Sequence, residues 1–251
     1  MLSISDHDSV RELRLARPPA NALDPALVAA LAGAVEAAPD EGARALVLAG
    51  SPGMFSGGLD VPLLLGLERR AMERFVVDFF RFLRTLAASR VPIVAAITGH
   101  APAGGAVMAI FCDHRVMADG DFKIGLNEVR VGLSLPRAIA SALELVVGAR
   151  QAMRLGTGGL LLTAAEALAV GLVDELVPPE AVVERAHEVA RDYLALPPIA
   201  MSTTRALGRA RLVELFDAQH EATFARFVDD WFSDETQTTL AALVERLRKK
   251  S

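Results

Sequence analysis

Apolar residues along the chain fall into two alternating patterns. Short continuous apolar runs, bounded by Gly, Pro or polar residues, predict buried strands. They lie at residues 10–16, 44–49, 93–98 and 172–177. Longer segments with apolar residues every three or four positions predict amphipathic helices. They lie at 25–38, 68–88, 106–112, 137–147, 149–155, 164–171, 180–194 and 199–250. This alternation predicts an α/β fold.

Capping signals support several of these helix starts. Asp24 is a suitable N-cap, and Pro25 at the first helical position fits because its missing N–H has no partner to lose. Thr163 followed by Glu166 is a capping box, which predicts that a helix opens at residue 164. These capping residues therefore mark where two of the predicted helices begin.

Two glycine-rich loops each connect a predicted strand to a predicted helix. The first covers residues 50–60 (GSPGMFSGGLD) and the second covers 99–106 (GHAPAGGA). Glycine lets a ligand approach the backbone closely, and a helix N-terminus presents N–H groups that lack intrahelical partners. The second loop, around Gly104 and Gly105, is therefore predicted to hold a negatively charged oxygen.

Glu128 is a carboxylate in an otherwise apolar segment. Its neighbours include Ile124, Val129 and Val131. Because burial disfavours the charged form, a desolvated carboxylate has a raised pKa and is a stronger base than a solvated one. Glu128 is the candidate general base.

The segment Leu196-Pro197-Pro198 is the clearest boundary in the chain. It predicts a core region at 1–195 and a C-terminal helical region at 196–251. That second region carries five aromatic residues, Phe216, Phe224, Phe227, Trp231 and Phe232. So many aromatics cannot be buried by their own helices, so we expect them to pack on the core or on another subunit.

Composition narrows the class of protein. With 251 residues, 52% hydrophobic, the chain can bury one substantial core. A net charge of −5 and the absence of a basic stripe argue against a nucleic-acid partner. The single cysteine, Cys112, fits a reducing compartment, and no Cys/His group has metal-ligand spacing, so we expect no metal. The N-terminal segment lacks signal-peptide features and no run reaches membrane-spanning length, which predicts a cytoplasmic protein without membrane attachment.

Four motifs in order resemble the crotonase family, the enoyl-CoA hydratase and isomerase superfamily. They are residues 55–60 (FSGGLD), 99–106 (GHAPAGGA), 112–116 (CDHRV) and 171–174 (GLVD). The resemblance implies a spiral of β-β-α repeats with a C-terminal helical trimerisation region. It also implies a homotrimer, or a dimer of trimers, that acts on an acyl-CoA thioester and needs no cofactor, because coenzyme A is part of the substrate.

The resemblance also implies roles for individual residues. The backbone N–H groups of Gly57 and Gly104 would form an oxyanion hole for the thioester oxygen, a type of donor whose removal costs roughly 2.7–4 kcal/mol in enzymes. Other residues would contact the substrate: Ala20, Ala22, Leu23, Ser56, Gly58, Leu59, Asp60 and Ala103. The family's hydratases carry two glutamates, and Val107 replaces the first of them here. The segment around Glu128 (124–128, IGLNE) instead resembles the mitochondrial-type Δ3,Δ2-enoyl-CoA isomerase branch, in which one glutamate moves the proton.

The same residues allow other interpretations. Within the enzymes the rival is a 2-enoyl-CoA hydratase that uses Glu128 alone, and outside them it is an acyl-CoA binding protein without turnover. Glu128 could instead cap a helix or pair with Arg130. His100 is interpreted as a structural histidine bonded to a carbonyl, and Cys112 as a small core residue.

Overall fold

The computed structural model describes residues 1–217 and 220–249. Ten strands are present in this range: β1 Leu2–His7, β2 Val10–Leu15, β3 Ala45–Ala49, β4 Gly53–Met54, β5 Ile93–Ile97, β6 Gly99–Pro102, β7 His114–Ala118, β8 Lys123–Gly125, β9 Leu162–Thr163 and β10 Glu175–Val177. The helices are α1 Pro25–Ala37, α2 Val61–Leu64, α3 Arg69–Ala87, α4 Gly104–Ile110, α5 Arg137–Val147, α6 Ala149–Gly158, α7 Ala164–Ala169, α8 Val182–Ala195, α9 Pro198–Asp217, α10 His220–Trp231 and α11 Asp234–Arg248. Short 3-10 helices cover Glu128–Val131 and Pro179–Ala181. Among the described helices, none combines the length and apolarity needed to cross a bilayer.

A β-β-α unit is repeated along the first half of the chain. In the units that contain β3-β4, β5-β6 and β7-β8, the first strand joins a six-stranded sheet of order β1-β2-β3-β5-β7-β10 and the second joins a four-stranded sheet of order β4-β6-β8-β9. Strands β2, β3, β5 and β7 pair in parallel, and β4, β6 and β8 do the same in the smaller sheet. The repeat superimposes equivalent loops at one end of the spiral, so successive glycine-rich loops become neighbours.

The large sheet is covered on both faces. Side chains alternate along each strand, so Leu46 and Leu48 join the main core, which includes residues of α1 and α3, whereas Val47 faces a smaller cluster with α8. Burial on both faces explains why the central strands are continuously apolar. The sheet is a rigid platform for the loops that leave its strands.

Most predicted elements are confirmed within two or three residues. Asp24 caps α1 by accepting a hydrogen bond from the Leu27 N–H at 2.7 Å, and Thr163 and Glu166 form the predicted capping box. The strand predicted at 172–177 is shorter, because only its last three residues pair with β7. Six strands were not predicted: β1, β4, β6, β7, β8 and β9.

The C-terminal helices pack on the core of the same chain. Phe216 and Trp231 are fully buried, Phe111 contacts Phe216 with ring centroids 5.5 Å apart, and Phe80 contacts Phe224 at 4.9 Å. The aromatic residues therefore pack on the core, which is one of the two arrangements expected from the sequence. Their burial does not require a second subunit. The last two residues of the predicted 196–251 region lie outside the described residues.

Candidate active site

Asn21 connects the first glycine-rich loop to the segment before α1. Its amide is fully buried and donates to the carbonyls of Met54 and Phe55 at 3.0 and 3.2 Å, and its side-chain oxygen accepts from the Arg17 N–H. Asn21 has φ of +47°, a left-handed conformation that asparagine tolerates better than most residues. Sequence reasoning missed this residue, although Asn in a loop that precedes a helix cap is a weak signal for it.

Ser56 belongs to the same internal network. Its hydroxyl is fully buried, donates to the Asn21 carbonyl at 2.9 Å and accepts from the Gly58 N–H at 3.2 Å. This position corrects the expectation that Ser56 contacts substrate, because its side chain has no access to a ligand. Ser56 shapes the loop instead.

The Gly57 N–H is already occupied. It donates to the Ala20 carbonyl at 2.7 Å, which contradicts the expectation that this group faces a ligand. Two residues on, Leu59 forms a parallel bridge with Leu23, in which Gly58 O and Asp60 N make the hydrogen bonds. Backbone groups alternate in direction along an extended segment, so the Leu59 N–H points away from Leu23. It has no hydrogen-bond partner among the described residues, and it replaces Gly57 as the candidate donor.

Gly104 lies against this segment. A Cβ added to Gly58 would come within 3.0 Å of the Gly104 nitrogen, and Gly58 has φ of +88°, so both space and conformation require glycine there. Gly104 is the first residue of α4, and its N–H has no partner in the described part of the chain. The two glycine-rich loops are thus brought together, with one free N–H on each.

Strand pairing places Glu128 beside the second loop. Strand β8 pairs in parallel with β6, and the Ala103 N–H donates to the Gly125 carbonyl at 2.8 Å. The chain then enters the 3-10 helix, whose first residue is Glu128. The candidate base and the candidate oxyanion donors therefore follow neighbouring strands of one sheet.

The environment of Glu128 favours a neutral carboxyl. Burial raises its pKa to about 7, and a bond from its own backbone N–H only partly opposes this effect. Its Oε2 is buried and has no hydrogen-bond partner within the described residues. Arg130 does not pair with it, because the Arg130 Nε donates to the Gly159 carbonyl at 2.5 Å. The alternative that Glu128 serves an ion pair with Arg130 is excluded.

A shared arginine holds the two helix caps near the site. Arg17 contacts the carboxylates of both Asp24 and Asp60, at 3.1 and 2.6 Å, and donates to the Ala22 carbonyl. Asp60 also caps α2 through the Leu63 N–H. Its carboxylate therefore has partners within the protein, and substrate contact by Asp60 stays a prediction.

The remaining predicted contacts divide by exposure. Leu23 is fully buried, and its backbone N–H and carbonyl bond to Gly58 and Asp60, which corrects the expectation that it contacts substrate. Four other predicted contacts are partly exposed: Ala20, Ala22, Leu59 and Ala103. Substrate contact by these four residues and by the Gly58 backbone stays a prediction.

Three residues near the loops have structural roles. Val107 is buried in the core, so a branched hydrocarbon occupies that position of α4. The His100 Nδ1 accepts from the Lys123 N–H at 3.1 Å, which confirms a structural histidine but corrects its partner from a carbonyl to an amide. Burial raises the pKa of Cys112 to about 12, so the thiol stays protonated and acts as a core residue.

A group of possible metal ligands lies elsewhere in the described part of the chain. His7, Glu12 and His187 lie together, although no short sequence spacing connects them. Sequence spacing could not reveal this group, because the fold joins residues that are more than 170 positions apart. The expectation of no metal stays untested.

The repeated β-β-α spiral, the paired glycine-rich loops and the buried glutamate define an enzyme of crotonase fold. The chain belongs to the enoyl-CoA hydratase/isomerase family, whose model matches residues 5–250. It is 32% identical over 244 residues to human enoyl-CoA delta isomerase 1, mitochondrial, covering 96% of this chain and 81% of the relative. It is 33% identical over 225 residues to the probable enoyl-CoA hydratase echA17 of Mycobacterium avium, covering 82% of this chain and 86% of the relative.

A solved structure shares the whole architecture. The crystal structure of human mitochondrial delta3-delta2-enoyl-CoA isomerase superimposes with a TM-score of 0.95 at 31% identity, covering 100% of this chain and 99% of that chain. The predicted fold and family resemblance are therefore confirmed.

Proposed function

We propose that the protein converts 3-enoyl-CoA to 2-trans-enoyl-CoA, with Glu128 as the single proton carrier. The observation that carries the proposal is the buried Glu128 carboxylate, which has a raised pKa and an oxygen without a partner among the described residues. The likeness to a relative named as a delta isomerase supports the same reaction.

The proposed reaction conserves atoms and oxidation state. The Glu128 carboxylate takes a proton from C2, and the C–H electron pair forms a dienolate whose charge lies on the thioester oxygen. The Leu59 and Gly104 N–H groups would stabilise that oxygen more strongly than the neutral carbonyl. Glu128 then returns the proton to C4, which re-forms the thioester carbonyl and leaves the double bond between C2 and C3. No redox cofactor takes part in such a step.

Hydration of a 2-enoyl-CoA is the alternative, and the relative named as a probable hydratase favours it. Hydration requires a water held over C3 while a proton reaches C2. Val107 can neither hold that water nor donate a proton, because its side chain is a hydrocarbon. Isomerisation needs one carboxylate only, and it is therefore the better match to the residues present.

A substrate panel tests the reaction. Purified protein is incubated with 3-enoyl-CoA or 2-enoyl-CoA, and products are followed by absorbance and mass spectrometry. We expect the wild type to convert 3-enoyl-CoA to a product of unchanged mass. The kcat should fall by about two to four decades in Glu128→Gln and stay the same in Glu144→Gln, the control at an exposed glutamate. A mass gain of one water from 2-enoyl-CoA at a higher rate would establish the hydratase, and binding without turnover would establish an inert acyl-CoA binder.

We also propose a homotrimer, or a dimer of trimers. Large apolar side chains remain exposed on the single chain, with Ile199 81% and Leu207 73% exposed on α9 and Met153 70% exposed on α6. Exposed apolar residues of this size are typical of subunit contacts. Light scattering should give a trimer mass or a multiple of it. Leu207→Glu should shift the mass towards the monomer, whereas Leu168→Glu on α7 should not; a monomeric wild type at micromolar concentration contradicts the proposal.

The cellular location is proposed to be cytoplasmic, although the human relative is named mitochondrial. Cell fractionation of the source organism with an antibody against the protein decides this. Recovery in a membrane or organelle fraction would contradict it.

A further inference from the structure

Two histidines and a glutamate meet on the α8 face of the large sheet. His7 ends β1, Glu12 lies in β2, and His187 lies in α8. Glu12 pairs in register with Val47, which faces α8, so its side chain emerges on that same face. One ring nitrogen of each histidine and one carboxylate oxygen lie within 4.8 Å of one another.

The distances suit a tetrahedral metal ion. Zinc lies about 2.0–2.2 Å from nitrogen and oxygen ligands, so two of its tetrahedral ligand atoms are separated by roughly 3.3 Å. The His187 Nε2 and Glu12 Oε2 are 3.1 Å apart, and the two histidine rings have centroids 4.6 Å apart. His187 and Glu12 are both buried, whereas His7 is exposed and can adjust its side chain. Two ligands are therefore fixed, and the third closes the site from solvent.

The surroundings orient the ligands and leave them available. The Arg14 Nε holds Glu12 Oε1 at 2.7 Å, so Oε2 is directed to His187. His187 Nδ1 is buried without a hydrogen-bond partner among the described atoms. Because nothing at Nδ1 fixes the proton, Nε2 can present its lone pair once a cation replaces the proton between it and Oε2.

Two further carboxylates lie near the cluster. Asp6 and Glu184 are close enough to interact electrostatically with His7, and Glu184 also with His187. Each of these carboxylates also pairs with an arginine, Asp6 with Arg11 and Glu184 with Arg191.

We infer that His7, Glu12 and His187 form a binding site for zinc or a similar transition-metal ion. Two imidazoles and one carboxylate favour zinc over magnesium, which prefers an all-oxygen octahedral shell. The ion would link the β1–β2 hairpin to α8, and a solvent molecule would complete its coordination. This role is structural and independent of the proposed isomerisation, because none of the three residues belongs to the glycine-rich loops or lies near Glu128 in the sheet order.

Zinc binding by untagged protein tests the inference. After treatment with a chelator, the protein is titrated with ZnCl₂ or MgCl₂ in a calorimeter, and bound metal is measured by mass spectrometry after dialysis. His7→Gln removes the exposed ligand with little risk to folding. His114→Gln is the matched control, because His114 also contacts a glutamate, Glu175, at 3.0 Å but lies outside the cluster. Cobalt substitution adds an absorption spectrum that reports tetrahedral coordination.

We expect one zinc per chain in the wild type and in His114→Gln, at least tenfold weaker binding in His7→Gln, and no magnesium binding. At a free zinc concentration 100 times the Kd, the unfolding equilibrium constant should fall about 100-fold in the wild type. Three results would overturn the inference: equal zinc affinity of His7→Gln and the wild type, less than one bound zinc per wild-type chain, or an unfolding equilibrium constant that zinc does not change.

Discussion

Glu128 shows how one residue can serve the reaction at a cost to the fold. Burial raises its pKa to about 7, well above the ordinary value for a glutamate. Because the carboxylate is the proposed base, kcat/KM should rise with pH and level off above about 7. Initial rates from pH 5.5 to 9 with 3-enoyl-CoA check this, and a limb at the ordinary glutamate value near 4.5 would contradict it.

The same pKa predicts a pH-dependent stability. Between about pH 4.5 and 7 the folded protein retains a proton that the unfolded chain has released, so this residue's contribution to stability declines as pH rises. The decline is on the order of 3 kcal/mol, since each tenfold difference in proton affinity is worth about 1.4 kcal/mol. Glu128→Gln should therefore be more stable than the wild type at pH 8 and near equal at pH 4.5. Urea denaturation at both values measures the difference, and equal stability at pH 8 would count against burial of the charge.

The choice of backbone donor shows where sequence reasoning at the residue scale stops. The motif at 55–60 pointed to the Gly57 N–H, whereas the structure leaves the Leu59 N–H without a hydrogen-bond partner among the described residues. Which N–H is free depends on the pairing of Leu59 with Leu23 and on the bond from Gly57 to Ala20, and these contacts involve a distant segment. Glu128, by contrast, was predictable because its apolar neighbours are adjacent in sequence.

Backbone esters distinguish the two candidate donors. Replacing Leu59 by leucic acid removes its N–H and keeps the side chain, and kcat should fall 10²–10³-fold with little change in stability. The matched ester at position 57 removes the bond to Ala20, which should cost about 1 kcal/mol of unfolding free energy and change kcat much less. The reverse pattern would return the role to Gly57.

Among the helices and strands, prediction succeeded where burial requires a continuous or periodic run of apolar residues. Strands β3 and β5 and the amphipathic helix α3 were identified because one or both faces are apolar. The central strand β7 was missed because it begins with two polar residues, His114 and Arg115. Strand β1 was missed because it lies at the sheet edge, where five of its six residues are exposed. The short strands β4, β6 and β8 have only two to four residues and form through pairing across the repeats. Such tertiary pairing overrides local propensity and leaves little trace in one sequence.

Substitution of Asn21 would measure how strongly the first glycine-rich loop and the segment before α1 depend on one side-chain amide. Asn21→Ala removes the donor to the Met54 and Phe55 carbonyls and places alanine, which has a Cβ, at positive φ. We therefore expect the free energy of unfolding to fall by about 2–4 kcal/mol. Asn21→Gly relieves the backbone and should recover about 1 kcal/mol of that loss. Urea denaturation measures both; a loss below about 0.5 kcal/mol in Asn21→Ala would show that the loops hold together without it.

On the scale of the whole molecule, a buried and a half-buried arginine attach α9 to the core. Arg205 and Arg209 both contact Asp113, at 2.8 and 3.0 Å. Arg209 also donates to the carbonyls of Leu86 and Phe111, at the C-terminal ends of α3 and α4. Positive charge at a helix C-terminus complements the helix dipole. The sequence indicated that the C-terminal region packs on the core or on another subunit, but this junction depends on residues about 90 positions apart and could not be predicted from it.

Removal of the shared carboxylate should therefore loosen the C-terminal helices. Asp113→Asn keeps the shape of the side chain but leaves two guanidinium groups in a buried site without a counter-charge, a change worth about 3–5 kcal/mol. The exposed pair of Arg69 and Asp229, at 2.7 Å, supplies the control, because Asp229→Asn should cost no more than about 1 kcal/mol. Urea denaturation gives the two free energies, and hydrogen exchange should show faster exchange of the α9 amides in Asp113→Asn alone. If the two variants lose the same stability, the arginines are held by the helix-end carbonyls and the carboxylate does not govern how α9 attaches.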